Sequence, residues 1–482
     1  MVVFESIGGM LESISALGRI EGKRFVANGT RPDGGLVDRL AHTAVFGSSP
    51  ELKGTARWIV RSVAAALGVK PASIHDLYMA MGRGEAGGFT VPAMNLRVLA
   101  YDTARAAFRA ARALDAGAMI FEIARSEIGY TEQRPHEYAA MITAAALRER
   151  FTGPVFIQGD HVQVNAAKYR GGVREQELDA LRGLIIEEIA AGFYNIDIDS
   201  STLVDLDEPT LDGQQEINYR LAAEFTAFCR EHQPKGVTIS VGGEIGEVGG
   251  RNSDVHELHA FMRGYEAALS RRGVRPGLSK ISVQTGTEHG GSVGPDGKVR
   301  TDVQIDVAAL EELSRVARAE YGMAGAVQHG ASTLPPDAFD AFPKAGACEI
   351  HLATDFQNIV FDHPRFPAAL RDEMNAWLRE HAAEERKPSD TDAQFLVRTR
   401  KKSVGAFKRE FWSLDDEVKD AVGRSLEERF SFLMTKLNVA GTALLVGQFV
   451  TAPDPVFDRE IETLAAAGQI TAAERRAEGL SD

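Results

Sequence analysis

Eight short strand-forming runs, each followed by a helical stretch, fill the middle of this chain and leave few folds open to it. The runs are Gly88–Asn95, Gly117–Ile123, Pro154–Asp160, Phe193–Asp199, Val237–Glu244, Leu278–Gly286, Ala324–His329 and Ala347–Leu352. They are rich in β-branched and aromatic residues and bounded by glycine or proline. Between them apolar residues recur at helical spacing, as in Tyr101–Asp115, where Ala104, Ala107, Phe108 and Ala111 share a face. The other such stretches are Pro135–Arg150, Glu175–Ala191, Gln215–His232, Asp254–Arg271, Asp306–Tyr321 and Pro335–Lys344. Strands that alternate with helices pair in parallel through right-handed crossovers. Eight of them predict an α/β fold of the closed (β/α)8 TIM-barrel kind, and no Gly-x-Gly-x-x-Gly follows the first run to signal a dinucleotide fold.

This reading places the barrel at 88–364, between helical extensions at 1–87 and 365–482. Gly54–Leu67 reads as a helix before the barrel, and Ala368–Glu385, Leu414–Leu437 and Arg459–Gly479 read as helices after it. Asn28–Gly35 and Lys387–Asp392 read as loops. Apolar residues such as Phe430, Leu433 and Leu437 suit the extensions to covering the barrel base or burying a subunit interface.

A formal net charge of −14 over 482 residues argues against nucleic acid as a partner, while leaving room for a small anion held by a few local cations. Two cysteines, Cys229 and Cys348, make no disulfide framework. With no apolar run long enough to span a membrane and no leader-like start, a cytoplasmic location is expected.

In a TIM barrel the chemistry sits at the C-terminal ends of the strands, so those ends are where function should be legible. Strand three ends in Gly159-Asp160-His161 and strand four in Asp197-Ile198-Asp199-Ser200. Strand five ends in Gly243-Glu244, and strand six leads into Thr287-Glu288-His289-Gly290-Gly291. Strand seven ends in Gln328-His329-Gly330-Ala331-Ser332, and strand eight carries His351 and leads into Thr354-Asp355. A single histidine at such a place is more often a hydrogen-bonded packing residue. Three on separate strand ends form a recognised donor set for a catalytic metal with an open position. Gly290, Gly291 and Gly330 allow positive φ and close approach of backbone to a ligand, although an ordinary tight turn has the same composition.

The strings FTVPAMN (89–95), GDH (159–161), DIDSS (197–201), GGEIGEVGG (242–250), GTEHGG (286–291), HGAS (329–332) and ATDFQ (353–357) resemble the ordered motifs of the class II, zinc-dependent fructose- and tagatose-bisphosphate aldolases. The resemblance implies that His161, His289 and His329 hold a catalytic Zn²⁺, with Co²⁺ or Fe²⁺ also compatible. It implies that Asp160 exchanges a proton with the C4 hydroxyl during retro-aldol cleavage of a ketose phosphate through a zinc-stabilised enediolate. Asp199 and Glu244 match positions that hold a second metal or monovalent cation in some members, or else orient the histidines. Asn95, Gly290, Gly330, Ser332, His351, Thr354 and Asp355 match positions around the ketose and its phosphate. The family is dimeric or larger, so a homo-oligomer is expected.

Several positions depart from the family pattern. His351 stands where Asn is usual, Ala331 replaces a glycine, and strand two carries Glu122-Ile123-Ala124 in place of Gln-x-Ser. No lysine follows His289 closely; Lys298 and Arg300 are the nearest cations. These changes imply a substrate other than fructose 1,6-bisphosphate. Arg125, Arg251 or the run Arg398-Thr399-Arg400-Lys401-Lys402 could restore the missing charge, although a solvated helix face explains that run more simply. His351 is a substrate donor, a replacement ligand or a polar core residue, with substrate contact favoured. The stretch SEIGYTEQRP (126–135) is also similar to non-catalytic aldolase-like subunits of the tagatose-bisphosphate system, which is the alternative function.

Overall fold

The computed structural model describes residues 2–22, 24–245, 251–286, 294 and 305–469. Eight parallel strands form its centre: β1 (Val91–Asn95), β2 (Ile120–Ala124), β3 (Gly153–Gln163), β4 (Asn195–Asp199), β5 (Ser240–Glu244), β6 (Lys280–Val283), β7 (Ala326–Gln328) and β8 (Glu349–Leu352). Each pairs with the next, and β8 returns to β1 through Glu349 opposite Val91 and His351 opposite Ala93, so the sheet closes. The fold is a (β/α)8 barrel, and all eight strand-like runs of the sequence supply its staves.

Helices surround it, and local chemistry sets their ends. Asp254 accepts from the Glu257 N–H while Glu257 reaches back to the Asp254 N–H, a capping box that starts Val255–Arg271. Thr210 and Asp306 cap Leu211–His232 and Val307–Tyr321 through their side chains. Ala100–Ala113 buries Ala104, Ala107, Phe108 and Ala111 against the barrel, the face marked by its spacing. Pro335–Lys344 is shorter than its pattern: a 3-10 turn at Pro336–Ala338 precedes a helix at Ala341–Ala345.

The extensions contain more than helices. Gly18–Glu21 and Arg24–Ala27 form an antiparallel pair. Val69–Ala72 adds a short parallel strand to the early half of β3. A helix at Gly34–Phe46 begins inside the expected Asn28–Gly35 loop because the Asp33 side chain caps the Leu36 N–H. Beyond the barrel, Leu437 O accepts from Thr90 N, and Thr442 Oγ1 accepts from Gly117 N and Ala118 N. These contacts lie at the starts of β1 and β2, so this segment covers the barrel base. The helix Arg459–Ala466 packs on Pro50–Ala66, where buried Arg61 pairs with Glu462. The sequence pattern ran this last helix to Gly479; residues from 470 onward lie outside the described ones.

Candidate active site at the barrel mouth

A regular strand sends successive side chains to opposite faces, so Asp160 and His161 could not both face the mouth on an unbroken β3. The pairing of β3 with β4 shifts register between Gly159 and Val162, and His161 adopts a left-handed φ of 42°. This bulge turns two consecutive side chains toward one cavity. Gly159 is required behind it, because a Cβ there would lie 2.5 Å from the Glu188 carboxylate.

His161 and His329 meet across the mouth, with His161 Nε2 and His329 Nδ1 2.9 Å apart. Their outer nitrogens are anchored: His161 Nδ1 lies 3.0 Å from Asp199 Oδ2, and His329 Nε2 lies 3.0 Å from Ser282 Oγ. Asp199 is itself fixed, its Oδ1 accepting from Ser201 N at 3.1 Å and Ser201 Oγ at 2.7 Å. Glu244 Oε2 stands 3.3 Å from His161 Nδ1. One ligand atom each from His161, Glu244 and His329 falls within 4.8 Å of the others, spacing compatible with a single ion. The donor set fits a metal such as zinc: two imidazoles present inner nitrogens while outer partners hold the rings. Burial would lower the His161 pKa, but the Asp160 and Glu244 carboxylates and the bond to Asp199 outweigh it and raise it well above the usual value. That bond in turn holds Asp199 below the ordinary carboxylate range against the effect of burial.

A cavity of about 500 Å³ opens in front of this pair. Asp160, His161, His329, Gly330, Ser332, His351 and Thr354 all line it, so seven of the residues singled out from sequence share one space. Gly330 takes a φ of 68°, the left-handed conformation expected of it. Ser332 Oγ accepts from Ala353 N at 2.7 Å, tying the β7 loop to the start of the helix Thr354–Phe361. Asn95 is buried and donates to Glu127, and the Asp355 carboxylate pairs with Arg429; neither is among the lining residues described. His289 and Gly290 lie outside the described residues, as do Lys298 and Arg300.

Below the mouth the barrel interior is polar. Lys280 Nζ, 0% exposed, donates to Gln158 Oε1 at 2.8 Å, Asp197 Oδ2 at 2.9 Å and Glu349 Oε1 at 2.5 Å. Gly242 makes room for it, since a Cβ there would fall 2.3 Å from Asp197 Oδ1 and 2.9 Å from Lys280 Cε. Burial opposes the charge on Lys280, yet Asp197 and Glu349 hold it firmly protonated. His351 joins this cluster to the mouth, with Nε2 2.7 Å from Glu349 Oε1 and Nδ1 3.1 Å from Asp160 Oδ1.

The sequence undervalued one cation. Lys401 lines the cavity, with Nζ 6.0 Å from the Tyr130 ring centre and no carboxylate at salt-bridge distance among the described residues. The expectation that its run is a solvated face fails at this residue, because the segment lies over the mouth. Its neighbours do pair outward, Arg400 with Asp362 and Lys402 with Glu385. Arg97, Arg125 and Lys168 line the same cavity, and Arg97 and Arg125 are held by Glu127 and Glu177.

A closed parallel barrel with paired histidines and carboxylates at the C-terminal ends of its strands is the arrangement in which (β/α)8 enzymes place their active sites. The family model of class-II fructose-bisphosphate aldolases matches residues 77–406, most of the chain. This protein belongs to that family. No curated protein matches the sequence. Among solved structures, one titled a probable tagatose 6 phosphate kinase from Sinorhizobium meliloti 1021 is 19% identical, with a TM-score of 0.51, 80% of this chain covered and 100% of that one. The fructose-bisphosphate aldolase of Campylobacter jejuni is 15% identical with a TM-score of 0.46, over 77% of this chain and 97% of that one. The YdjI aldolase of Escherichia coli K12 is 14% identical with a TM-score of 0.43, over 76% and 98%. Among the described residues no helix is long and apolar enough to cross a membrane.

Proposed function

We propose that this chain is a metal-dependent aldolase that cleaves, and in reverse forms, a carbon–carbon bond in a ketose bearing a phosphate. The observation that carries the reading is the bulge in β3, which sets Asp160 beside His161 and opposite His329 in one cavity. His161 and His329, with His289, would hold the ion; Asp199 and Ser282 would keep the two described rings turned inward. A bound Zn²⁺-like ion supplies a Lewis acid for the substrate ketone. Asp160 accepts the proton of the hydroxyl two carbons from that ketone. The bond between the hydroxyl carbon and the carbon beside the ketone then breaks, the hydroxyl carbon leaves as an aldehyde, and the electron pair stays on the carbon beside the ketone until a proton replaces it.

Lys280 cannot serve as a Schiff-base nucleophile in this scheme, because its protonated amine is committed to three oxygens. Lys401 and Arg97 suit the far end of the substrate, where an anionic group needs positive charge. The test is a screen of ketose mono- and bisphosphates for aldehyde release by purified, metal-assayed protein, with and without chelator. The expected result is stoichiometric metal and release that chelation abolishes and added Zn²⁺ restores. Substoichiometric metal with no release is what a non-catalytic aldolase-like subunit would give, and it would sink the proposal.

A further inference from the structure

His351 stands where the family usually has asparagine, and the sequence leaves three roles open to it. Its surroundings discriminate among them. Both ring nitrogens lie at hydrogen-bond distance from carboxylates, Nδ1 at 3.1 Å from Asp160 Oδ1 and Nε2 at 2.7 Å from Glu349 Oε1. A ring bonded to carboxylates at both nitrogens has no spare donor to turn toward a sugar oxygen. One face of the ring is also covered, since His329 stacks on it with centroids 4.1 Å apart and planes 20° from parallel.

The far end of this contact is held from several sides. Glu349 Oε1 also accepts from Lys280 at 2.5 Å and from Gln158 at 2.9 Å, and Glu349 Oε2 accepts from Tyr78. Glu349 and His351 are two residues apart on β8, so both project into the barrel, and Asp160 reaches them from β3. The result is a continuous hydrogen-bonded path from a fully buried carboxylate to the proposed base.

We propose that His351 is a positioning residue: bridging Glu349 and Asp160, it fixes the Asp160 carboxylate in the orientation that meets the substrate hydroxyl. This rests on the aldolase reading above and deepens it. Asparagine is too short to span both carboxylates, so the substitution that restores the usual family residue should impair this chain.

The variants are His351→Asn and His351→Gln, with thermal melts and metal content confirming that each folds and loads. The expected result is a kcat for cleavage lowered about tenfold to a hundredfold with KM within about twofold, since misplacing a base by about 1 Å costs that much. Exchange of the α-hydrogen of the short ketone product with solvent, a step in which Asp160 takes no hydroxyl proton, should stay within about twofold of wild type. In Asp160→Asn the further change His351→Asn should cost nothing more. Losses that multiply in the double variant, or exchange that falls in step with cleavage, would overturn the inference. A crystal structure of His351→Asn decides it independently of turnover. Displacement of the Asp160 carboxylate supports the inference, and an unmoved carboxylate refutes it even if the wild type cleaves no ketose phosphate at all.

Discussion

Replacing Lys280 with methionine removes the single ammonium that Asp197 and Glu349 share in the barrel interior while keeping a chain of similar length. Each carboxylate then either remains charged without that partner or takes up a proton. For Glu349, which Lys280 holds well below its ordinary pKa of 4.5, protonation at pH 7 costs about 3.4 kcal/mol, from 1.36 kcal/mol per unit over 2.5 units. That agrees with the roughly 3–5 kcal/mol lost when a buried ion pair is broken from one side. The same arithmetic gives about 0.7 kcal/mol at pH 5, so the penalty should fall several-fold on mild acidification. Urea unfolding of wild type and Lys280→Met at both pH values measures it. A penalty under about 1 kcal/mol at pH 7, or one equal at the two pH values, would refute the view that this lysine neutralises the barrel interior.

Two further predictions concern the cavity wall and acid stability. Lys401→Gln should raise KM for a phosphorylated substrate about tenfold and leave an unphosphorylated analogue unaffected, because a charged hydrogen bond is worth about 1.5–3 kcal/mol; an unchanged KM would remove this lysine from substrate binding. Burial, aided by the charge of Arg230, lowers the His75 pKa from 6.5 to about 4, so the unfolded chain binds its proton first. Stability should therefore fall as pH drops from 6.5 toward 4 and stop falling on this account below 4. His75→Gln should flatten that decline in urea midpoints, and an identical slope would rule the residue out.

The barrel was legible because each stave carries its own apolar run and each mouth motif sits at a strand end. The short strand Val69–Ala72 was not, since four residues containing Lys70 and Pro71 offer no alternation to recognise. Nor could sequence place Lys401 in the cavity. A basic run on a polar segment has the same composition whether it faces solvent or folds back over a mouth, and only the packing of the segment distinguishes them. The bridge from Glu349 through His351 to Asp160 was half visible: the spacing of Glu and His on β8 puts both on one face, but their partner stands on β3, almost two hundred positions earlier in the chain. His351 thus read as a departure from the family pattern, without the contact that explains it.

The left-handed turn at His161 couples two functions through one peptide link. The distance between the side chain proposed to grip the ion and the one proposed to move the proton is set by covalent geometry and needs no relative motion of separate staves. Changes in the loops and in the segment over the mouth would then reshape the cavity and leave the spacing of these two side chains as it is.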